Sequence, residues 1–269
     1  MHFSDETLSE LVAFAGSLAD ASRRETLPRF RAGVSVVNKD KAAFDPVTDA
    51  DREAERILRE IIGATYAGHG VLGEEFGETK GAEPWRWVID PVDGTRAFVC
   101  GVASWATLIA LEHRGAPVAG IIDQPHTDER WIGSSGLTRF THKGETRIAK
   151  TSGVKDLAKA RVSTTDPRST GYFNEAEASA FARVADAARV ARFSLDAYAY
   201  GLLALGELDL VIESSLKRHD YAALIPVIEG AGGVVTNWRG EPPGTDTRGE
   251  FIAAATPELH AAALKLLQP

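Results

Sequence analysis

Trp87-Val88-Ile89-Asp90-Pro91-Val92-Asp93-Gly94-Thr95 ends an apolar run with two acids spaced around a proline, then steps through Gly-Thr. The apolar run has strand length and predicts a buried strand that stops at the first acid. Pro91 fixes φ and gives up its N–H. The backbone carbonyls and the side chains of Asp90 and Asp93 can then face one point as hard oxygen ligands, the donor set that Mg²⁺ selects. A helix start after Gly94 adds free N–H groups suited to a phosphate. The same residues also make an ordinary solvated turn, since Asp, Pro and Gly are the commonest turn formers.

Working outward, three further acidic elements bear on that choice. Gly73-Glu74-Glu75 ends the preceding strand, Asp49-x-Asp51 opens a helix after Val47-Thr48, and Lys217-Arg218-His219-Asp220 lies between a strand and an apolar helix. Each has a plain structural reading: an exposed charge pair for Glu74 and Glu75, and helix capping for Asp49, Asp51 and Asp220, where the dipole contributes ~0.3–1 kcal/mol. His219 beside Asp220 reads as a surface or supporting residue rather than a ligand. Capping and coordination can coexist, and acids dispersed over four elements suit a catalytic site. No EF-hand spacing is present, nor a G-x-S-x-G elbow, a P-loop or a zinc signature among the seven histidines. Gly230, Gly232 and Gly233 follow a helix and precede a strand, the reverse of a dinucleotide fingerprint, and read as a helix cap and turn.

Around these motifs the periodicity predicts one amphipathic helix from Ser4 to about Arg31, a β-like stretch at Val34 to Val37, and a second helix opening at Thr48 or Asp49. The apolar runs VLGEE, WRWVID, WATLIALEH and PVAGIIDQP follow as strands between Val71 and Gln124. From Lys150 strands and helices alternate: Arg161 to Thr165, Asn174 to Ala188, Arg189 to Phe193, Asp196 to Leu205, Asp209 to Glu213, Tyr221 to Gly230, Gly233 to Thr236, Phe251 to Ala254, and a helix from Pro257. This favours a layered α/β arrangement. The polar stretch HKGETRIAKTSG marks the expected boundary between an N-terminal α+β half, 1–148, and a C-terminal α/β half, 149–269, of one integrated unit.

With 269 residues, 44% of them hydrophobic, the chain can bury a substantial core. A formal charge of −8, with no basic run, argues against nucleic-acid and anionic-membrane partners. A lone thiol, Cys100, and an N-terminus MHFSDETLSE without signal-peptide character lead us to expect a cytoplasmic protein. No window approaches the length of a membrane span.

The chain resembles the inositol-monophosphatase-like phosphatases over nearly its whole length. The resemblance rests on Asp45-x-Val47-Thr48-x-x-Asp51, Gly73-Glu74-Glu75, Trp87 to Thr95 with Phe98, and Asp220 followed by Glu229-Gly230-Ala231-Gly232-Gly233. It implies an α/β/α/β/α sandwich, often dimeric, that binds two or three Mg²⁺ ions, with Mn²⁺ as a substitute, and is commonly inhibited by Li⁺. By motif, Glu74, Asp90, the Val92 carbonyl, Asp93 and Asp220 correspond to metal ligands. Asp51 and Thr95, helped by Glu74, correspond to the groups that orient and deprotonate the attacking water, and Asp93, Gly94 and Thr95 to phosphate contacts.

Within the family the chain is most similar to the histidinol-phosphate phosphatases. Gly120-Ile121-Ile122-Asp123-Gln124-Pro125, Asp196-x-Tyr198-Ala199-Tyr200-Gly201 and Leu216-Lys217-x-x-Asp220-Tyr221 carry that likeness. Asp196 and Glu213 are then the expected contacts to the substrate's cationic alcohol portion. The chain departs from the subgroup at Arg96, Ser194-Leu195 and Arg218-His219. An inositol or related sugar or nucleotide phosphatase, and a divalent-cation-binding protein without turnover, are the other readings.

Overall fold

The computed structural model describes residues 4–33, 36–38, 46–245 and 248–268. Asp45 and the start of the expected stretch at Val34 lie outside them. Ser4 caps helix α1 (Asp5–Thr26) by accepting from the Thr7 N–H at 3.1 Å. The helix stops short of Arg31, giving way to a 3₁₀ turn over Leu27–Arg29, because Pro28 has no N–H to continue the ladder. A short ladder pairs β1 (Val36–Asn38) with β2 (Pro46–Thr48), which leads into α2 (Asp49–Thr65).

Two larger sheets follow. The first has eight strands, in the order β10-β9-β8-β7-β6-β5-β3-β4. They are β3 (Gly70–Gly73), β4 (Gly77–Thr79), β5 (Trp85–Asp93), β6 (Ala106–His113), β7 (Ala116–Gln124), β8 (Glu129–Ser134), β9 (Leu137–His142) and β10 (Glu145–Ile148), with helix α3 (Thr95–Val99) after β5. The sequence reading expected strands only as far as β7. The polar stretch taken as a boundary contains β10, which pairs with β9 and ends the sheet at Ile148.

The second sheet has five strands, in the order β12-β11-β13-β15-β14. It comprises β11 (Arg161–Thr164), β12 (Val190–Phe193), β13 (Leu210–Glu213), β14 (Val234–Thr236) and β15 (Phe251–Ala254). Its helices are α4 (Glu175–Ala187), α5 (Tyr198–Ala204), α6 (Arg218–Tyr221), α7 (Leu224–Gly230) and α8 (Pro257–Leu267). The single helix expected from Tyr221 to Gly230 is thus two short ones. Asp220 lies inside the first of them rather than capping a longer one.

Burial sorts these elements into five layers. Leu11, Leu18, Leu58 and Ile62 of α1 and α2 pack on Trp87, Ile89, Ile109 and Ile121, one face of the large sheet. Its other face, with Val88, Leu108, Ile122 and Trp131, packs on α5 and α7, which also cover Val211 and Phe251 of the small sheet. Helices α4 and α8 cover the far side through Phe181, Val184, Leu259 and Ala263. Strand β5 is buried on both faces, which is why it reads as a continuous apolar run rather than an alternating one.

The middle layer sits close because two glycines allow it. Gly120 of β7 pairs with Gly133 of β8. A Cβ would stand 2.0 Å from the Ala223 carbonyl oxygen at Gly120 and 2.3 Å from the Pro226 carbonyl oxygen at Gly133. The backbone leading into α7 therefore rests directly on the sheet. Gly120→Ala is expected to destabilise the fold by about 1–3 kcal/mol through overpacking. Gly63→Ala, in α2 with nothing within 4 Å of its Cβ position, is expected to stabilise by roughly 0.5–1 kcal/mol. Urea midpoints for the two variants should move in opposite directions.

Candidate active site

Strands β3 and β5 run parallel, with Gly73 opposite Ile89, so their carboxyl ends lie side by side. Glu74 follows β3 directly, and Asp90 follows Ile89 within β5. Past Asp90 the register against β6 slips until Asp93, leaving Pro91 and Val92 in a bulge. Thr107 Oγ1 donates to the Pro91 carbonyl at 2.7 Å, and the Val92 N–H donates to Asp90 Oδ1 at 3.1 Å. The Val92 side chain is buried with Phe30, Ala50, Phe98 and Trp105, which points the bulge's polar atoms the other way. Gly94 then turns the chain at φ +83°, a left-handed conformation suited to glycine, and Thr95 opens α3. A side chain at Gly94 would also strike Asp196, whose Cγ lies 2.8 Å from the Cβ position.

Asp51 is a cap and more. Its Oδ2 accepts from the Thr48 N–H at 2.9 Å and the Thr48 hydroxyl at 2.5 Å, one half of a capping box. Its Oδ1 lies 3.2 Å from Thr95 Oγ1, which is also 3.1 Å from the Val92 carbonyl, so one hydroxyl hydrogen is shared between two acceptors. One turn along the same face, buried Glu55 accepts from the N–H groups of Glu75 and Phe76 at 2.7 and 3.1 Å. Helix α2 thus fixes the turn that presents Glu74. Glu55 escaped the sequence reading, although its i+4 spacing from Asp51 marks it.

Glu74, Asp90, Val92, Asp93, Gly94, Thr95, Asp196, Glu213 and Asp220 all line one cavity of about 550 Å³. Asp51 stands behind Thr95, fully buried. Ligand atoms lie within 4.8 Å of one another in each of three groups: Asp90, Asp93 and Asp220; Asp51, Glu74 and Glu75; Glu74, Asp90 and His219. The plain structural readings therefore fail at several positions. Glu75 has a side chain only 4% exposed. Asp220 bonds back to the Lys217 N–H at 2.6 Å from within α6, and its carboxyl faces the cluster. Asp196 caps no helix: it sits at φ +48° two residues before α5, and Ser104 donates to its Oδ2 at 2.8 Å. Glu213 is buried, not solvated, with Thr164 Oγ1, Thr165 N and Thr165 Oγ1 donating to it at 3.1, 2.6 and 2.8 Å. His219 is buried and faces the cluster.

The inositol monophosphatase family matches the chain over residues 7–269. The chain belongs to the inositol monophosphatase family. It is 40% identical to the chloroplastic bifunctional phosphatase IMPL2 of Arabidopsis thaliana across 98% of its own length and 77% of that protein's. To the histidinol-phosphatase of Mycobacterium tuberculosis it is 35% identical, over 83% and 86% of the two chains. Among solved structures, an inositol monophosphatase from Zymomonas mobilis superposes with a TM-score of 0.85 at 38% identity, covering 97% of this chain and 98% of that one. This member of the inositol monophosphatase family is a phosphatase acting on small phosphate monoesters. Among the described residues no helix is long and apolar enough to cross a membrane.

Enzymes of the inositol monophosphatase family use Mg²⁺, and the carboxylates here fit that ion. Burial, and then mutual repulsion among Glu74, Asp93, Asp220 and Asp51, raises Asp90 well above the usual carboxylate range. Asp93 is raised likewise by burial, Asp220 and Asp196, and Asp220 by burial. Asp51 is pushed up to about 6 by burial, against the Thr48 hydrogen bonds. Oxygen donors that repel one another in a dry site are what a hard dication relieves.

Across the cavity Glu213 is raised to about 8 and Asp196 is also raised, both chiefly by burial. Thr165, Tyr172 and Tyr200 line that side; the sequence motifs include Tyr200 but assign none of the three a role in the site. The Tyr200 hydroxyl is buried and has no hydrogen-bond partner among the described residues.

These shifts fix a pH dependence for the metal-free chain. An acid raised on folding holds its proton more tightly in the folded state, so its contribution is full below its ordinary value and is lost as pH rises through the folded one. For Glu213 that window runs from 4.5 to about 8. His69, His113 and His260, lowered by burial, push stability upward with pH, but only below their ordinary 6.5. Between pH 6.5 and 8 the melting temperature of the chelated protein should therefore fall. Added Mg²⁺ should raise it more at pH 8 than at 6.5, since protons compete less for the ligands. Differential scanning fluorimetry with and without EDTA reads both effects.

Proposed function

We propose that this phosphatase hydrolyses histidinol phosphate, releasing histidinol and inorganic phosphate. The observation that carries the reading is the pair of half-buried Asp196 and buried Glu213 on the cavity wall beside the carboxylate cluster. A buried acid with a raised pKa ionises when a cation meets it. The ammonium of an amino alcohol supplies that cation, and the charged pair replaces the proton. The 35% identity with the histidinol-phosphatase of Mycobacterium tuberculosis supports the same reading.

In this mechanism Glu74, Asp90, Asp93 and Asp220, with the Val92 carbonyl, would hold the divalent ions. When bound, those ions neutralise charge on the phosphoryl group and acidify water. The N–H groups of Gly94 and Thr95, at the open end of α3, hold phosphate oxygens in line with the attacking water. Thr95 Oγ1 accepts a hydrogen bond from that water and passes proton density to Asp51, raised to about 6 and hence a competent base near neutrality. A new P–O bond forms, the ester P–O bond breaks, and the departing alkoxide takes a proton from solvent water to leave as the alcohol, while the proton held by Asp51 returns to solvent. Residues 1–148 thus supply most of the metal and phosphate contacts and 149–269 the alcohol contacts, with Asp220 the exception.

One observation favours a second reading, an inositol phosphate. Glu213 already accepts three donors from Thr164 and Thr165. A polyol hydroxyl could occupy its remaining lone pair without any change of charge.

Two measurements test these roles. Thr95→Ala should lower kcat by 10²-fold or more with little change in KM, because the lost contact belongs to the transition state. An effect confined to KM would assign Thr95 to binding alone. Asp196→Asn and Glu213→Gln should each lower kcat/KM for histidinol phosphate about ten-fold or more, from roughly 1.5–3 kcal/mol of lost charge-assisted bonding. An uncharged monoester should lose less. Equal losses on both substrates, or an initial preference for myo-inositol 1-phosphate, would overturn the histidinol assignment.

A further inference from the structure

The group Glu74, Asp90 and His219 differs in kind from the other two, because one of its three converging ligand atoms is an imidazole nitrogen. His219 is only 9% exposed. It sits on α6 next to Asp220, with Nε2 3.3 Å from Asp220 Oδ1. Its approach is set by an anchor on the far side of the helix. The Arg218 guanidinium donates through Nε to buried Glu112 of β6 at 2.6 Å and through Nη2 to the Gly115 carbonyl at 2.7 Å. It also stacks on Tyr221, 5.3 Å from the ring centroid. Glu112 is held in turn by Arg86 at 2.7 Å. The helix bearing His219 is thus clamped to the sheet that carries Asp90.

An all-oxygen site favours Mg²⁺, whereas an imidazole among carboxylates suits Mn²⁺, Co²⁺ or Zn²⁺. We propose that His219 is a nitrogen ligand that, with Glu74 and Asp90, forms a mixed site selecting a borderline transition dication over Mg²⁺ at one of the cavity's metal positions. The proposal rests on the metal-dependent reading above and adds to it a ligand and a selectivity. The competing role for His219 is a simple ion-pair partner for Asp220, which would support all divalent ions alike.

The experiment is equilibrium binding of Mn²⁺ and Mg²⁺ to the chelator-stripped full-length protein, with pulsed EPR of the chain carrying one equivalent of Mn²⁺. The unaltered chain should show ¹⁴N modulation from a directly bound imidazole and should bind Mn²⁺ at least ten-fold more tightly than Mg²⁺. His219→Gln should lose the ¹⁴N signal and about ten-fold in Mn²⁺ affinity while Mg²⁺ affinity changes by no more than about two-fold. Absence of ¹⁴N modulation in the unaltered chain overturns the proposal whether or not the variant folds, and so does an equal loss of both ions in His219→Gln. If both ions bind but bound Mn²⁺ shows no ¹⁴N modulation, the metal-dependent reading stands and only the nitrogen ligand falls. If no ion binds, both fall.

Discussion

Mutual repulsion among buried carboxylates is the constraint around which the site is built. Asp90 and Asp93 leave a bulged strand, Glu74 leaves its parallel neighbour, and Asp220 arrives on a short helix from the other half of the chain. Asp90, Asp93 and Asp220 are taken out of water into the company of further negative charge. In the bare protein the tension is met by protonation and by isolated backbone donors: Val92 N–H to Asp90, Ala197 N–H to Asp93, Lys217 N–H to Asp220. Single N–H donors do not balance a full negative charge at low dielectric. The cluster holds a geometry that its own electrostatics oppose.

The rest of the molecule treats its buried acids differently. Glu55 pairs with Arg59, Glu112 with Arg86 and Arg218, Asp123 with Arg23 and Arg130, and Asp209 with Arg161. Every one of these acids has a side chain with no exposure, and every one is satisfied by guanidinium. The charges perturbing Asp90 and Asp93 are instead other carboxylates. One residue type therefore does two jobs, and the sorting is by partner rather than by depth. The arginine-paired acids also serve the site: Glu55 fixes the turn carrying Glu74, and Glu112 fixes the helix carrying Asp220. Removing either would free the segment it holds, so their loss acts on the site through the scaffold.

Much of this was legible in the sequence because short spacing forces convergence. Asp90-Pro91-Val92-Asp93-Gly94-Thr95 has too few rotatable bonds to scatter its oxygens, and Thr48 with Asp51 caps a helix by local bonding alone. What failed depended on distant contacts. Strand β10 is exposed at every position and polar at all but Ile148, so no apolar rhythm marks it; it exists because β9 offers an edge. The break between α6 and α7 falls at Ala222-Ala223, and its one local signal is Pro226, which has no N–H for the Ala222 carbonyl and so suits the first turn of a new helix. His219 looked peripheral because its burial follows from Arg218 meeting Glu112, 106 positions away in the chain. Asp196 resembled a helix cap because local sequence favours that, while the left-handed turn that aims it into the cavity is imposed by packing against Gly94 and Ser104.

The two acidic ends of the cavity are therefore not equivalent, and the difference bears on how an alcohol is chosen. At the metal end, acids crowd one another and a dication is the natural relief. Burial leads the rise at both ends, but at the alcohol end Asp196 and Glu213 each already hold neutral hydroxyl or amide donors, and other carboxylates add little. Such an acid has two useful states. Protonated, it can donate to a hydroxyl; ionised, it can pair with an ammonium. An amino alcohol drives it to the second state and exchanges a proton for a salt bridge, while a polyol leaves it in the first. Selection between the two substrate classes would then turn on proton occupancy in a fixed pocket, with no change in its shape, and the outcome would shift with pH on either side of the value burial sets for Glu213.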